Sequence, residues 1–356
     1  MKRLFLSVGI FLLSTVNSQQ STAAPSVSPP QEETFYTPSL EVRVGERLPC
    51  SEGLGVGFFP QWQIGTTLSV FGGLNGLTVE NLRKAKSAGV DCIEISLTGV
   101  VNGKTAIPLS MLKERMTMIK AQADSAGVTV WSIHMPYEVD CDPSSTDEEL
   151  FHIAEIKYRK YLDIVSVLHP HIILFHPSFY RLEPSNREAR MQQLARFMKS
   201  FNEDVHKIGA EIVIENMRGP VLQREQYYER ALGRNISEMK QIMSLMPEDV
   251  YVAIDTNHAT DAVAMIEAFG QRVHHLHISD TDGKADRHWL PGKGIIDWQG
   301  VIRALKKAHY NGPFMYELKT GEVTMDNISL LREIYLQVAS PQPSLRSTPS
   351  SQAENT

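Results

Sequence analysis

The residues of this chain with chemistry to offer stand at the ends of apolar runs. Ile133 leads into His134, Phe175 into His176, and Ile214 into Glu215 and Asn216. Ile254 leads into Asp255, with His258 three residues on, and the series ends with Leu276-His277-Ile278 and Tyr316-Glu317. Taken singly, a histidine at such a place caps a sheet and a carboxylate caps the following helix. Independent runs that all end in this way carry another meaning. Apolar flanks imply burial, and an unpaired buried charge is costly. A shared divalent cation removes that cost. Imidazole nitrogen combined with carboxylate oxygen suits Mn²⁺, Zn²⁺, Fe²⁺, Co²⁺ or, less well, Mg²⁺, so the expected cofactor is a divalent metal ion. No cysteine joins these ends, which argues against a thiolate site.

The stretch after His277 adds to the set. It carries Asp286-Arg287-His288 and then Pro291-Gly292-Lys293-Gly294-Ile295-Ile296-Asp297-Trp298. Alone it reads as a turn-rich loop; beside the other ends, Asp286 and His288 read as additional metal or substrate groups. Arg218 closely follows Glu215 and reads either as a binder of an anionic substrate group or as a solvated loop residue. Trp62, Trp131, Trp289 and Trp298 offer stacking faces for a ring, with the core as the stronger reading for Trp131 and Trp298.

Such ends meet only if the chain winds them around one axis. Strand-like apolar runs are expected over 54–58 (or 66–71), 91–96, 129–134, 171–176, 211–215, 251–255, 273–278 and 314–317. Continuous runs such as Ile172-Ile173-Leu174-Phe175 are what parallel strands buried on both faces look like. Helical patterns over 79–88, 109–126, 148–168, 187–208, 237–246, 262–269, 298–308 and 328–338 alternate with them. Thr78 and Asp297 are placed as N-caps, and Gly89, Gly127, Gly209 and Gly270 as helix ends. Alternating units imply a parallel sheet. Eight of them favour an α/β fold closed as a (β/α)₈ TIM barrel over an open doubly wound sheet, with the active site at the C-terminal ends of the strands.

The chain has 356 residues, 42% hydrophobic and 21% charged, which sustains a sizeable core. Its net charge is −6, with no basic footprint to suggest nucleic acid. Lys2 and Arg3 precede an apolar run over 4–13 and then small and polar residues, the order of a signal peptide. The run is too short to span a bilayer, so export to a periplasm or the medium is expected, with no stable membrane span after cleavage. The expected layout is signal peptide 1–24, flexible lead-in 25–50, one barrel domain 51–338 and a disordered tail 339–356. Cys50, Cys92 and Cys141 define no disulfide framework. The oligomeric state is left open.

The ordered set of strand ends, the Asp-Arg-His…Pro-Gly-Lys-Gly-Ile-Ile-Asp-Trp stretch and the ending Asn311-Gly312-Pro313-Phe314…Glu317 together resemble the xylose isomerase-like TIM-barrel superfamily. The resemblance runs over about 54–338. That superfamily groups sugar isomerases and epimerases with the endonuclease IV type of repair enzyme. In the sugar branch one metal is held by Glu, Asp, His and Glu, which implies Glu215, Asp255, His277 and Glu317 here. The two glutamates would also transfer the protons, and His258 matches a substrate-binding histidine. In the endonuclease branch nine ligands hold three zinc ions, and His134, His176, Glu215, Asp255, His258, His277, Asp286, His288 and Glu317 resemble those positions; Tyr137 also looks like a residue of that branch. The Pro-Gly-x-Gly wording and the export signal favour the sugar branch.

The resemblance therefore implies a metal-dependent isomerase or epimerase acting on a sugar or sugar derivative. It would abstract a proton beside a carbonyl through an enediolate. A β-elimination lyase on a keto-sugar or 3-keto-glycoside uses the same site, an abasic-site endonuclease the same ligands, and a non-catalytic sugar-binding barrel the same fold.

Overall fold

A computed structural model of the chain describes residues 62–101, 107–180, 185–219 and 231–340. The signal peptide, the lead-in, Cys50, the strand expected over 54–58 and the tail from 341 lie outside the described residues. Among those described, no helix is long and apolar enough to cross a membrane.

Eight strands run in chain order: β1 (Ile64–Thr66), β2 (Cys92–Ser96), β3 (Thr129–His134), β4 (Ile172–Phe175), β5 (Glu211–Glu215), β6 (Val250–Asp255), β7 (Val273–His277) and β8 (Phe314–Tyr316). The helices between them are α1 (Val79–Ser87), a single turn α2 (Thr98–Val101), α3 (Leu109–Ala126), α4 (Glu148–Val165), α5 (Arg187–Lys207), α6 (Ile236–Leu245), α7 (Ala262–Phe269), α8 (Trp298–Lys307) and α9 (Leu330–Ala339). The sheet order is β7-β6-β5-β4-β3-β2-β1-β8, with every named pair parallel. Ile278, just past β7, bridges in parallel to Tyr316. Its N–H donates to the Met315 carbonyl at 2.8 Å and its carbonyl accepts from Glu317 N–H at 3.2 Å. That seam closes the sheet on itself, so the fold is a TIM barrel and the open doubly wound sheet is excluded.

The expected caps form. Thr78 accepts from the Asn81 N–H and Asp297 from the Gly300 N–H, each satisfying a free donor of the first helical turn. At the other end of α3, Gly127 takes φ 69° while its N–H reaches back to the Ala123 and Asp124 carbonyls, a left-handed end that glycine adopts without a Cβ clash. The helix expected over 148–168 becomes 3-10 at Ser166–Leu168, and α9 extends to Ala339, one residue into the expected tail.

The first strand departs from expectation. The run 66–71 reads as a strand, yet Leu68–Phe71 is a 3-10 turn and β1 lies just before it. Its sequence, Ile64-Gly65-Thr66, gives a weak strand signal for a packing reason. A Cβ on Gly65 would meet Met315 Cε at 2.6 Å and Cys92 Sγ at 2.9 Å, so this strand gives up a side chain to let its neighbours fill the barrel.

Packing divides into two shells. Ile172, Leu174, Val213 and Ala253, with Trp131 and Tyr251 against them, form a cluster from strands β3 to β6. A larger cluster includes the helix faces, with Leu82, Met116, Phe197, Ile242, Leu305 and Leu331 all buried. Side chains alternate in direction along a strand, so Glu215, Asp255 and His277 share a face with Val213, Ala253 and His275. The polar ends therefore crown the apolar interior.

Candidate active site

The ends of β5, β6 and β7 and the residue after β8 supply Glu215, Asp255, His277 and Glu317. One ligand atom from each lies within 4.8 Å of all the others. His277 Nδ1 stands 3.2 Å from Glu215 Oε1 and 3.1 Å from Glu317 Oε2. His277 and Asp255 are fully buried and Glu215 nearly so, whereas the Glu317 side chain keeps 27% of its exposure. Glu317 is thus the carboxylate of the four that opens most to the outside.

The other residues singled out in the sequence gather around this group. His134 and His176, at the ends of β3 and β4, bring their Nε2 atoms within 3.1 Å of each other. Both face Glu215 Oε2, at 3.5 and 3.2 Å. His258 Nδ1 lies 2.9 Å from Asp255 Oδ2, and its Nε2 3.5 Å from Asp286 Oδ1. His288 Nε2 is 3.2 Å from the same Asp286 oxygen. Four sets of ligand atoms thus overlap: the four above, His134-His176-Glu215, Asp255-His258-His288, and Glu94-His275-His277. Tyr137 stacks on the His176 ring at 3.9 Å between centroids. Arg218 is neither free nor solvated, since its Nη1 pairs with Asp286 at 3.2 Å and its side chain is 10% exposed. The tryptophans stand outside this chamber: Trp62 donates to the Tyr310 carbonyl and Trp298 to Asp280. Trp131 stacks on His171, and Trp289 lies under Arg287.

Short local contacts hold these groups in place. Asn216 accepts from the Asp255 N–H at 2.8 Å and donates to the Asp255 carbonyl at 3.1 Å, clamping β5 to β6. The Asn257 N–H donates to Asp255 Oδ1 at 2.7 Å, which leaves Oδ2 toward His258. The Asn257 side chain then donates to Asp286 at 2.6 Å and accepts from the backbone N–H of Arg287 and His288. His288 sits at φ 47°, in the left-handed region, a placement that costs free energy and persists where surroundings impose it. Asp280, fully buried, accepts from the N–H of Gly292 and Ile296 and from the Trp298 indole. It staples the loop that carries Asp286 and His288.

The electrostatics are those of interleaved opposite charges. Burial opposes ionisation of Glu215, but His277 and His176 beside it hold its carboxyl well below the usual range. Glu317 is likewise pulled against burial by His277, down to about 2. Burial would lower His277, yet Glu317, Glu94 and Glu215 raise it well above its ordinary value. His258 is raised against burial by Asp255, and His288 by Asp286, the latter to about 9. His176 is lowered, burial winning over Glu215.

This arrangement fits a divalent cation. Among the described residues, Glu215 Oε2, Asp255 Oδ2 and Glu317 Oε2 are buried and accept no hydrogen bond of good geometry, although imidazole nitrogens stand 2.9–3.5 Å away. Direction decides whether a buried oxygen is satisfied, so proximity to these imidazoles alone does not satisfy the three. Three such oxygens converging with an imidazole are the hard, mixed donor set that divalent ions take.

Residues 82–334 match the family model described as the xylose isomerase-like TIM barrel. The chain belongs to the xylose isomerase-like TIM-barrel family. It is 24% identical over 263 residues to the D-psicose 3-epimerase of Ruminiclostridium cellulolyticum, covering 71% of this chain and 83% of that one. It is 24% identical over 133 residues to the fructoselysine 3-epimerase of Escherichia coli O157:H7, covering 36% of this chain; the match spans 46% of that enzyme's length. The solved structure of a 3-keto-D-glucoside 4-epimerase from E. coli superposes with a TM-score of 0.59 at 15% identity, over 78% of this chain and 99% of the other.

Sequence reasoning missed part of this family member's site. Glu94, in the middle of β2, is fully buried and reaches His277 Nε2 at 2.9 Å and His275 Nε2 at 3.1 Å. The signal was a lone carboxylate between Ile93 and Ile95, matched by two histidines, His275 and His277, at the same-face spacing of a strand. Ser96, Tyr180 and Met217 line the chamber of about 110 Å³ that also holds His134, His176, Glu215 and Glu317. A second cavity of about 570 Å³ shares Ser96 and Glu317 with it and continues over Thr67, Gly72, Gly73 and Leu74.

Proposed function

We propose that this chain is a divalent-metal-dependent sugar isomerase or epimerase that moves a proton on a carbon next to a carbonyl through an enediolate. The observation that carries this reading is the convergence of ligand atoms from Glu215, Asp255, His277 and Glu317 within 4.8 Å, three of them on carboxylates with unsatisfied buried oxygens. These four residues would hold the metal. A cation bound there supplies Lewis acidity toward a carbonyl and its neighbouring hydroxyl.

The proton work falls to the two glutamates. Both are ionised at neutral pH, as a general base must be, and Glu317 opens to the chamber. One carboxylate takes the C–H proton and the other serves the opposite face. Transfer on both faces gives epimerisation; return to the adjacent carbon gives aldose–ketose isomerisation. His134, His176, His258, Asp286 and His288 bind substrate hydroxyls or a further cation. Tyr137, stacked on His176, lines the chamber as a substrate contact, and Arg218 fixes Asp286 from the neighbouring cavity. We also propose that the protein is exported, on the order of charged, apolar and small residues at its N-terminus.

One observation favours a substrate longer than a free ketohexose. The cavity beyond Ser96 and Glu317 is about 570 Å³ against about 110 Å³ for the chamber itself, space for a second unit attached to the reacting one. A 3-keto-glycoside meets that description, and with a leaving group β to the carbanion the same proton abstraction becomes an elimination.

The test is solvent deuterium exchange by the Mn²⁺-loaded protein into a panel of ketohexoses and 3-keto-glycosides. Deuterium entering the carbon next to the carbonyl is the expected result, with faster exchange into the glycosides. Sugar that binds without exchange would leave a binding barrel, and incision of an abasic duplex would replace the reading by a nuclease.

A further inference from the structure

We propose that Glu94 is the positioning residue of the metal centre, fixing His277 in the tautomer that offers Nδ1 to the cation. The proposal rests on the reading above that His277 is a ligand.

The geometry is specific. β2 and β7 are not neighbours in the closed barrel, being separated by β8 and β1, so Glu94 meets His277 across the barrel interior. Each carboxylate oxygen is assigned: Oε1 faces His277 Nε2 at 2.9 Å, and Oε2 faces His275 Nε2 at 3.1 Å and accepts from Ser132 Oγ at 2.7 Å. Glu94, Ser132, His275 and His277 are all fully buried, with Glu94 at the wall of the larger cavity.

An ionised carboxylate only accepts hydrogen bonds. Facing Glu94, the Nε2 of His277 must therefore carry the hydrogen. In the neutral ring the lone pair then lies on Nδ1, the nitrogen that points at Glu215 Oε1 and Glu317 Oε2. The opposite tautomer would aim an N–H at the cation and exclude it. Metal-bound histidines generally donate their other N–H to such a partner, which fixes the ring and raises its basicity. Ser132 and His275 complete the device by fixing Glu94 itself. Among the described residues His275 Nδ1 has no partner, so Glu94 is the polar contact that holds that ring.

The alternative is a buried ion pair with a purely structural role. Metal affinity separates the two. The full chain is stripped of metal and titrated with Mn²⁺ in the wild-type, Glu94→Gln and Glu211→Gln forms. Glu211, on β5, pairs with His274 of β7 at 2.7 Å, but at half-exposed positions away from the cage, and serves as the control. Glu94→Gln is expected to weaken Mn²⁺ binding by about 10–100-fold, and Glu211→Gln to leave it unchanged. In ¹⁵N-histidine protein loaded with Zn²⁺, wild-type His277 shows a protonated Nε2 and a metal-bound Nδ1, and Glu94→Gln loses that signature.

If Glu94→Gln fails to fold, Ser132→Ala decides, because it removes one of the two partners of Glu94 Oε2 while keeping the charge; weaker Mn²⁺ binding in the same direction is expected. Wild-type affinity in a folded Glu94→Gln protein overturns the proposal and leaves the metal reading standing; where that variant does not fold, wild-type affinity in Ser132→Ala does so. A wild-type protein that binds no divalent ion overturns both.

Discussion

Replacing Glu317 by Gln perturbs the proposed chemistry with little change in shape. The amide is nearly isosteric, and the position is partly open, with a side-chain exposure of 27%, so the barrel should tolerate it. What is lost is a base. General acid–base groups contribute roughly 10²–10⁴-fold, which is about 3–5 kcal/mol of barrier at 1.36 kcal/mol per tenfold. Glu317 is also one of four grouped ligand atoms, so the assay must be run at saturating Mn²⁺ to keep affinity out of the comparison. Two quantities are read from the same incubation in D₂O: net conversion between epimers, and deuterium entering the starting epimer. Net conversion is expected to fall by about 10²-fold or more. Exchange should survive for the epimer whose C–H faces Glu215 and vanish for its partner. Glu215→Gln should give the reverse pattern, with a further loss of metal affinity because Glu215 lies within 3.2–3.5 Å of His277, His258, His134 and His176. Net conversion within about threefold of wild type at saturating metal, in either variant, refutes the assignment of that glutamate.

Two further outcomes follow from the charges and from the loop. His277 is raised above its ordinary value by Glu317, Glu94 and Glu215, so the metal-free protein holds a proton there at neutral pH, and a cation must displace it. Mn²⁺ affinity should therefore rise with pH, about tenfold per unit between pH 6 and 8 for one proton released; calorimetry in buffers of different ionisation enthalpy counts that proton, and a flat profile contradicts the assignment of His277. Asp280→Ala strips the acceptor from the Gly292 and Ile296 N–H groups and the Trp298 indole. The buried donors among those Asp280 serves are the Trp298 indole and the Thr281 N–H; at about 1 kcal/mol or more for each left unsatisfied, the loss should reach about 2 kcal/mol in urea unfolding, and a change under about 0.5 kcal/mol, the scale of ordinary surface substitutions, would show that the loop is held otherwise.

Much of the barrel was legible because its physics is local. Runs such as Ile172-Ile173-Leu174-Phe175 have no polar face, so they must be buried on both sides, and β3 and β5 fall where the pattern puts them. β1 was illegible because its identity depends on neighbours remote in sequence. Gly65 is small on account of Met315 and Cys92, and nothing within Ile64-Gly65-Thr66 says so. Glu94 was hidden for a related reason. Strand ends announce themselves because the polar residue terminates an apolar run, whereas Glu94 interrupts one. A buried charge requires a partner, and His275 and His277, on one face of β7, are the residues that supply it.

Spacing located the nine candidate ligands but could not divide them, because division is a matter of ångströms across the barrel. In the structure Glu215 joins the His134-His176 set to the group of four, as Asp255 joins the His258-His288 set to it. Glu215 Oε1 turns toward His277 and His258, its Oε2 toward His134 and His176. A carboxylate with one oxygen committed to a cation at His277 still presents the other to the His134-His176 pair. Those two imidazoles, with Nε2 atoms 3.1 Å apart, can share a proton, a substrate hydroxyl or a cation, and the three choices are mutually exclusive at that distance. The width of the site and the nature of its substrate are therefore coupled through one side chain. A sugar that reaches His134 and His176 through a hydroxyl takes the place a second metal would need.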